Sequence, residues 1–336
     1  MLSQDEIDVI DTEKMYLAYE KWPYLAKQCF DNDGNELDLA NIDHFVFAGM
    51  GGSGTIGDVF ASIMSKTDIH VSVVKGYQLP NTTNENTLVV CTSVSGNTVE
   101  TISILEQVKK NNLKSISFSS GGEIQNYCEQ NKLEHRIVKE NHSPRASFPA
   151  FLFTMLRILK PMLPIKDSDI VESIENLHET WKNISIQNLT EENLALSLAK
   201  WIEGIPIIYY PYGLESSAIR FRNCLQENTK SHAVIEDIVE TSHNGIVAWE
   251  KESNLQPILL RGLDDSVKTS QRYDIFKQYF EEKDIEYKEI FSIKGDIISK
   301  IINLIYFFDY TSIYLAYLRG INPTPVNSID FIKSKI

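Results

Sequence analysis

Short β-rich runs punctuate residues 44–140: HFVFAGM (44–50), HVSVVKG (70–76), TLVVCTSV (87–94), KSISFSS (114–120) and HRIVKE (135–140). Each has the length of a strand and is rich in strand-forming residues. Stretches with helical spacing lie between most of them, TVETISILEQVKKNN (98–112) being the clearest. This alternation predicts βαβ units and a parallel sheet covered on both faces. The segment before residue 40 reads as helical and is expected to pack outside the sheet. From FPAFLFTMLRILKPML (148–163) onward the pattern turns to amphipathic helices, as far as LSLAKWIEG. A second alternating series then follows: IPIIYYPYG, a helix over 215–229, LQPILLRG, a helix over 265–283 and YKEIFSI. A long helix over 296–318 and a short one after Pro325 complete the pattern. The expectation is two α/β sandwich domains of similar build, 1–150 and 151–336, joined near 145–155. Between the halves there is no visible repeat, low-complexity segment or flexible linker.

Composition narrows the class. A chain of 336 residues, 43% hydrophobic and 23% charged, can form two proper cores. The formal charge of −14, from 32 basic and 46 acidic residues, argues against a nucleic-acid surface. No apolar run in the sequence approaches a membrane span, and the start, MLSQDEIDVIDTEK, is acidic rather than signal-like. Cys29, Cys91, Cys128 and Cys224 are scattered, which fits reduced thiols near the core and a cytoplasmic setting. The seven histidines have no metal-ligand spacing, so no metal site is expected.

The first predicted strand runs into FAGMGGSGTIGD (47–58), where Gly49, Gly51 and Gly54 have the G-x-G-x-x-G spacing. A dinucleotide site of this kind requires an acid near the end of the second strand to hold the ribose. Lys75 and Gly76 stand there instead, which counts against a nicotinamide cofactor. A tight strand-to-helix turn alone would also use these glycines. The third strand ends in CTSVSGNTVET (91–101), bringing Ser93, Ser95 and Thr98 to another helix start. One cap needs one such residue, so three hydroxyls exceed capping needs. With Ser53 they can cradle a tetrahedral dianion at the C-terminal edge of the sheet.

GMGGSG and SVSGNTVET together resemble the paired phosphate loops of the sugar isomerase (SIS) superfamily. Further stretches resemble its bifunctional phosphoglucose/phosphomannose isomerases: KGYQLP, HSPRASFP, CLQENTK, TSHNGIVAWE and YLAYLRGINPTPVNSIDFIK. Val94 takes the place of the usual aromatic, and Gly245 that of the glutamate usual after His-Asn. The resemblance covers essentially the whole chain. It implies two three-layer α/β sandwiches of SIS, flavodoxin-like type, each with a mainly parallel sheet.

It also implies the roles. Gly51, Gly52, Ser53, Ser93, Ser95 and Thr98 would hold the phosphate of a small sugar substrate. Glu227 would move a proton between C1 and C2, and Arg145 would stabilise the enediolate. His243 and Lys333 would assist ring opening and position the sugar, with Thr324 as an approximate counterpart of a threonine that makes room for both epimers. The chemistry requires no cofactor, and the assembly would be a homodimer with shared sites.

The residues themselves are compatible with this. Leu214, Ala218, Phe221 and Leu225 form one face of the helix that ends near Glu227, so a base there can project while the helix stays anchored. An arbitrary helix-end glutamate is a solvated carboxylate, and an arbitrary loop arginine a surface ion pair; here the flanking QENTK and HSPRASFP segments favour function. Lys333 lies on a helix with Ile329, Ile332 and Ile336 as its apolar stripe. Three alternatives remain open. One is a sugar-phosphate sensor that needs the loops but not Glu227, Arg145 and His243. Another is an isomerase of a different sugar phosphate, and the last is a dinucleotide oxidoreductase.

Overall fold

The computed structural model describes residues 2–32, 37 and 39–335. The chain begins with α1 (Gln4–Ile10), α2 (Met15–Glu20) and α3 (Trp22–Asp31). There follow β1 (His44–Ala48), α4 (Gly51–Met64), β2 (His70–Val74), β3 (Thr87–Ser93), α5 (Val99–Lys110), β4 (Lys114–Ser119), α6 (Gly122–Asn131) and β5 (Glu134–Ile137). Three helices come next: α7 (Phe148–Leu159), α8 (Asp167–Ile184) and α9 (Leu194–Trp201). The last part comprises β6 (Ile205–Tyr210), α10 (Glu215–Thr229), β7 (Val234–Asp237), α11 (Ile238–Thr241), β8 (Leu255–Arg261), α12 (Val267–Glu282), β9 (Lys288–Phe291), α13 (Ile297–Leu318) and α14 (Asn327–Lys333).

Two compact units result. The first holds Lys21–Glu175, with the short piece Asp296–Ile298; the second holds the N-terminal 20 residues, Asn176–Gly295 and the rest of the C-terminal part. This division differs from the expected 150/151 boundary for two packing reasons. Helix α7 stays with the first unit, where Phe148 stacks on Trp22, ring centroids 6.1 Å apart. Helices α1 and α2 join α13, since Tyr306 donates to the Tyr19 carbonyl at 2.8 Å and Tyr317 to the buried Asp11 carboxylate at 2.7 Å.

The first unit is built on a five-stranded sheet of order β2-β1-β3-β4-β5, every pairing parallel. Period-two alternation sends β1 side chains to opposite faces. Val46 and Ala48 join Val89, Cys91, Ile104, Leu105 and Ile124 beneath α5 and α6. Phe47 turns the other way and stacks on Phe60 of α4 at 4.8 Å. The second unit has a parallel four-stranded sheet, β7-β6-β8-β9. Tyr209, Trp249, Leu259, Tyr273, Phe276 and Phe280 form the core on one face, with Trp249 Nε1 donating to the Tyr209 hydroxyl at 2.8 Å. On α10, Phe221 stacks on Phe308 of α13 at 4.3 Å. The predicted face of α10 is buried throughout: Leu214, Ala218, Phe221 and Leu225.

Two sequence expectations need correction. Strand β7 has no counterpart in the apolar pattern, because its four residues, VIED, are only half-buried and half acidic. The second concerns membrane length. α13 spans 22 residues and its most apolar window has a mean hydropathy of 1.3, so it meets the length and composition of a span. Of that window 89% is buried inside the protein, which accounts for its composition as a core helix. The four cysteines are free thiols, with Cys91, Cys128 and Cys224 buried.

Candidate active site

In the first unit the strand order reverses between β1 and β3. Their outgoing loops therefore diverge and open a crevice at the C-terminal edge of the sheet, where open α/β folds take ligands. Neither helix start carries a side-chain cap, Met50 preceding α4 and Thr98 preceding α5. Ser53 and Gly54 N–H groups bond the Met50 carbonyl at 3.0 and 3.2 Å. That leaves Gly51 and Gly52 at the exposed turn, as an anion site at a helix start requires.

The β3 loop is fixed by its own hydroxyls. Ser93 Oγ lies 2.7 Å from Thr98 Oγ1 and accepts from the Gly96 N–H at 3.1 Å. Ser95 Oγ accepts from Asn97 N–H at 3.3 Å. A hydroxyl that accepts a backbone bond keeps its own O–H to donate, so closing the turn does not exhaust these donors. Asn97 is spent otherwise: its side-chain oxygen accepts from Glu123 N–H at 3.0 Å, at the start of α6. Only glycine fits at position 96. Its φ is +71°, and a Cβ there would stand 1.8 Å from the Gly121 carbonyl oxygen.

Arg145 belongs to the same unit as these loops and is 4% exposed. The sequence places it in a polar loop, and the loop is there, but the side chain is buried. The surrounding turn is clamped: Ser147 Oγ accepts from Asn141 N–H at 2.8 Å, and Trp22 Nε1 donates to the Ala146 carbonyl at 3.1 Å.

The remaining expected residues lie in the second unit. Glu227 is half-buried in the last turn of α10, which ends at Lys230 with a left-handed φ of 55°. Lys230 Nζ donates to the Glu227 carbonyl at 2.5 Å and the Pro323 carbonyl at 3.1 Å, which puts neighbouring Thr324 on the same edge. Two buried ties hold α10 to α13. Arg220 reaches Asp309 through Nε at 3.0 Å and Nη2 at 2.5 Å, and Asn228 Nδ2 donates to Ser312 Oγ at 2.8 Å. Cys224 also donates its thiol to Asp309, at 3.1 Å. Burial opposes the charge on Arg220, but Asp309 overrides it and holds the guanidinium pKa well above its ordinary value. Burial also drives the Cys224 thiol well up, Arg220 opposing and Asp309 adding, so it stays protonated.

His243 is exposed in the turn after α11, its N–H bonded to the Glu240 carbonyl at 2.9 Å. Because α10 returns from the C-terminal edge of the sheet and β7 runs forward again, Glu227 and His243 stand at opposite edges. The four residues of β7 alone span about 13 Å. Gly245 has a local reason: a Cβ there would come within 2.5 Å of Glu236 Oε2, the atom that accepts from the Thr241 hydroxyl at 2.8 Å. Lys333 is exposed on α14, beside Ile329 and Ile332, which are 39% and 57% exposed; Ile336 lies outside the described residues. Among the described residues, no three His, Cys, Asp or Glu side chains cluster as a metal site.

Residues 38–159 match the SIS domain family, and residues 191–336 match the bacterial phospho-glucose isomerase C-terminal SIS domain. The bifunctional phosphoglucose/phosphomannose isomerase of Caldicellulosiruptor bescii is 31% identical over 310 residues, covering 88% of this chain and 90% of the relative. The chain belongs to the bifunctional phosphoglucose/phosphomannose isomerase family. The enzyme of that name from Aquifex aeolicus is 28% identical, covering 96% of each chain. Among solved structures, the C-terminal domain of glucosamine-fructose-6-phosphate aminotransferase from Francisella tularensis superposes with a TM-score of 0.68 at 16% identity, covering 91% of this chain and 96% of that one. At that identity the likeness is one of fold, and the fold is the expected pair of SIS-type α/β sandwiches.

The isomerase sequence is silent on most of the ties that hold these elements. Asp309 gives one signal that is easily overlooked, a charge with Ile305, Tyr306 and Ile313 at helical spacing, whereas Arg220, among Ser216, Ser217, Asn223 and Cys224, gives none. Gln107, which grips the KGYQLP segment from α5, gives none, since a glutamine on a helix face is ordinary.

Proposed function

We propose that this protein interconverts glucose-6-phosphate, and mannose-6-phosphate as well, with fructose-6-phosphate through a cis-enediolate. What carries this is the pair of glycine- and hydroxyl-rich loops at the β1/β3 switch point, in a chain of this family. The N-terminal domain supplies the phosphate seat: the Gly51 and Gly52 backbone with the Ser53, Ser93, Ser95 and Thr98 hydroxyls. Arg145 adds fixed positive charge beside the enediolate, a preorganised form of stabilisation. The C-terminal domain supplies Glu227 as the base that takes the proton from one carbon and returns it to the next. His243 and Lys333 assist ring opening and orient the sugar, and Thr324 leaves room for the second epimer. Nothing in this proton transfer calls for a cofactor.

The enzyme works in the cytoplasm as a homodimer, each site combining Glu227 of one copy with His243 of the other. The separation of these residues on opposite edges of one sheet supports sharing. Coupled assays on glucose-6-phosphate and mannose-6-phosphate test the activity; binding of a sugar phosphate without turnover of either would leave a sensor. Mixing inactive Glu227→Ala with inactive His243→Ala under subunit exchange tests the sharing. Random reassortment makes half the dimers mixed, each with one intact site, so activity recovers to about a quarter of wild type. Background activity after proven exchange would refute the shared site and leave the isomerase assignment intact.

A further inference from the structure

The two loops of the proposed phosphate seat lead into helices on opposite faces of the sheet. Phe47 meets α4 on one face, while Val46 and Ala48 pack beneath α5 on the other. Something must therefore hold α4 and α5 in register across the sheet edge. The segment leaving β2, Lys75 to Leu79, touches both.

On the α4 side, the Lys75 stem lies across Gly54, within 3.1 Å of where a Cβ would stand, and its Nζ pairs with Asp58 at 2.6 Å. At the root of the segment, Gly49 N–H donates to the Val74 carbonyl at 3.1 Å, tying the glycine loop to the end of β2. The chain then turns over the edge. On the α5 side, Tyr77 donates to Glu100 in the first turn of α5 at 3.3 Å. Gln107 grips the segment's backbone twice, its Oε1 accepting from Leu79 N–H at 3.1 Å and its Nε2 donating to the Tyr77 carbonyl at 2.6 Å. Leu79 packs against the core under α5. Five residues thus connect the two helices from which the seat is built.

We propose that Lys75–Leu79 is a positioning strap that sets the spacing of the two phosphate loops, with Tyr77 and Gln107 as positioning residues acting through α5. It rests on the phosphate seat proposed above. Charge-assisted contacts to a phosphate depend steeply on the donor–acceptor distance, so a small drift of α5 against α4 weakens binding without touching the base in the other unit. The strap is specific to binding, and its loss appears in KM rather than in kcat.

The test uses the full chain with Gln107→Leu, Tyr77→Phe and Ser53→Ala, each measured for fructose-6-phosphate turnover and for inorganic phosphate affinity by calorimetry. Gln107→Leu should raise KM and the phosphate Kd together by about tenfold, and Tyr77→Phe by about threefold, with kcat within about twofold of wild type. Tyr77→Phe alters a half-exposed hydroxyl on the surface, so it decides the matter even if Gln107→Leu fails to fold. If Ser53→Ala weakens phosphate binding while folded strap variants bind as wild type, the strap is overturned and the seat stands. If Ser53→Ala also binds as wild type, seat and strap fall together. A lower melting temperature with unchanged KM and phosphate Kd would reduce the strap to a purely structural tie and overturn it. Phosphate binding is read without turnover, so an absence of isomerase activity leaves this test intact.

Discussion

The two units share a parallel sheet whose order reverses after its first strand, β2-β1-β3 in one and β7-β6-β8 in the other. The second unit repeats one feature of the first, an α10 start at Leu214 without a side-chain cap, but its other switch-point loop differs in chemistry. In the first unit both helix starts lack a side-chain cap and carry glycines and hydroxyls. In the second, the loop after β8 holds Asp264 and Asp265, and Ser266 caps α12 through Thr269 N–H at 3.2 Å. Asp265 is engaged by Gly262 N–H at 3.0 Å and by Arg261. Asp264 pairs with Lys300, so both carboxylates of this loop are engaged by cations and its helix start is closed by a cap, whereas both helix starts of the first unit are open. The residue expected to do chemistry in the second unit, Glu227, lies at the other edge of its sheet. Shared topology creates a crevice in each unit; the side chains decide whether it is a site.

The contrast extends to how each unit is held together, and the largest expected effect is there. The core of the second unit contains the Arg220–Asp309 pair, whose side chains are 1% and 0% exposed. Arg220→Met leaves a buried carboxylate without its cation and should cost about 3–5 kcal/mol in denaturant unfolding. Phosphate affinity at low temperature should survive, since the seat belongs to the other unit. A cost below about 1 kcal/mol would show that the pair is dispensable to the core.

Next comes the division of labour. Glu227→Gln keeps the shape but removes the proton acceptor, so initial rates on fructose-6-phosphate should fall by about a hundredfold or more. Affinity for inorganic phosphate should stay at wild type. Near-normal turnover would move the base elsewhere and dissolve the contrast between a binding unit and a reacting one.

Ser53→Ala and Thr98→Ala are the converse. Each removes a hydroxyl donor from a contact worth about 1.5–3 kcal/mol, so KM should rise more than kcat falls. Equal losses in kcat would mean that these hydroxyls act on the transition state instead.

The smallest effect concerns pH. Burial, followed by the nearby His70, holds the His44 pKa below its ordinary value. The folded unit thus favours neutral imidazole, and this contribution is fully present above about pH 6.5. It is lost as the pH falls below that, because the unfolded chain takes up the proton more readily. Melting of wild type against His44→Gln between about pH 7.5 and 5 should show the wild type losing slightly more. Parallel curves would mean that His44 does not contribute.

What the sequence settled by itself follows from short-range rules. Strand runs such as HFVFA and TLVVCTS are apolar nearly throughout because both faces of a parallel sheet are covered, and that pattern alone marks them as strands. The two loops are legible as loops because their glycines and hydroxyls, in excess of turn and cap requirements, stand out at strand ends. The buried face of α10 is legible from its helical spacing. Folding alone decided the rest. Strand β7 exists because β6 offers it a hydrogen-bonding edge, a contact that no periodicity within VIED encodes. The N-terminal helices join α13, at the far end of the chain, through Tyr306 and Tyr317. The depth of Arg145, the opposite placement of Glu227 and His243, and the grip of Gln107 on Leu79 are likewise relations between segments separated in sequence. A local pattern records which face of an element is apolar, but its partner on that face is chosen only when the whole chain packs.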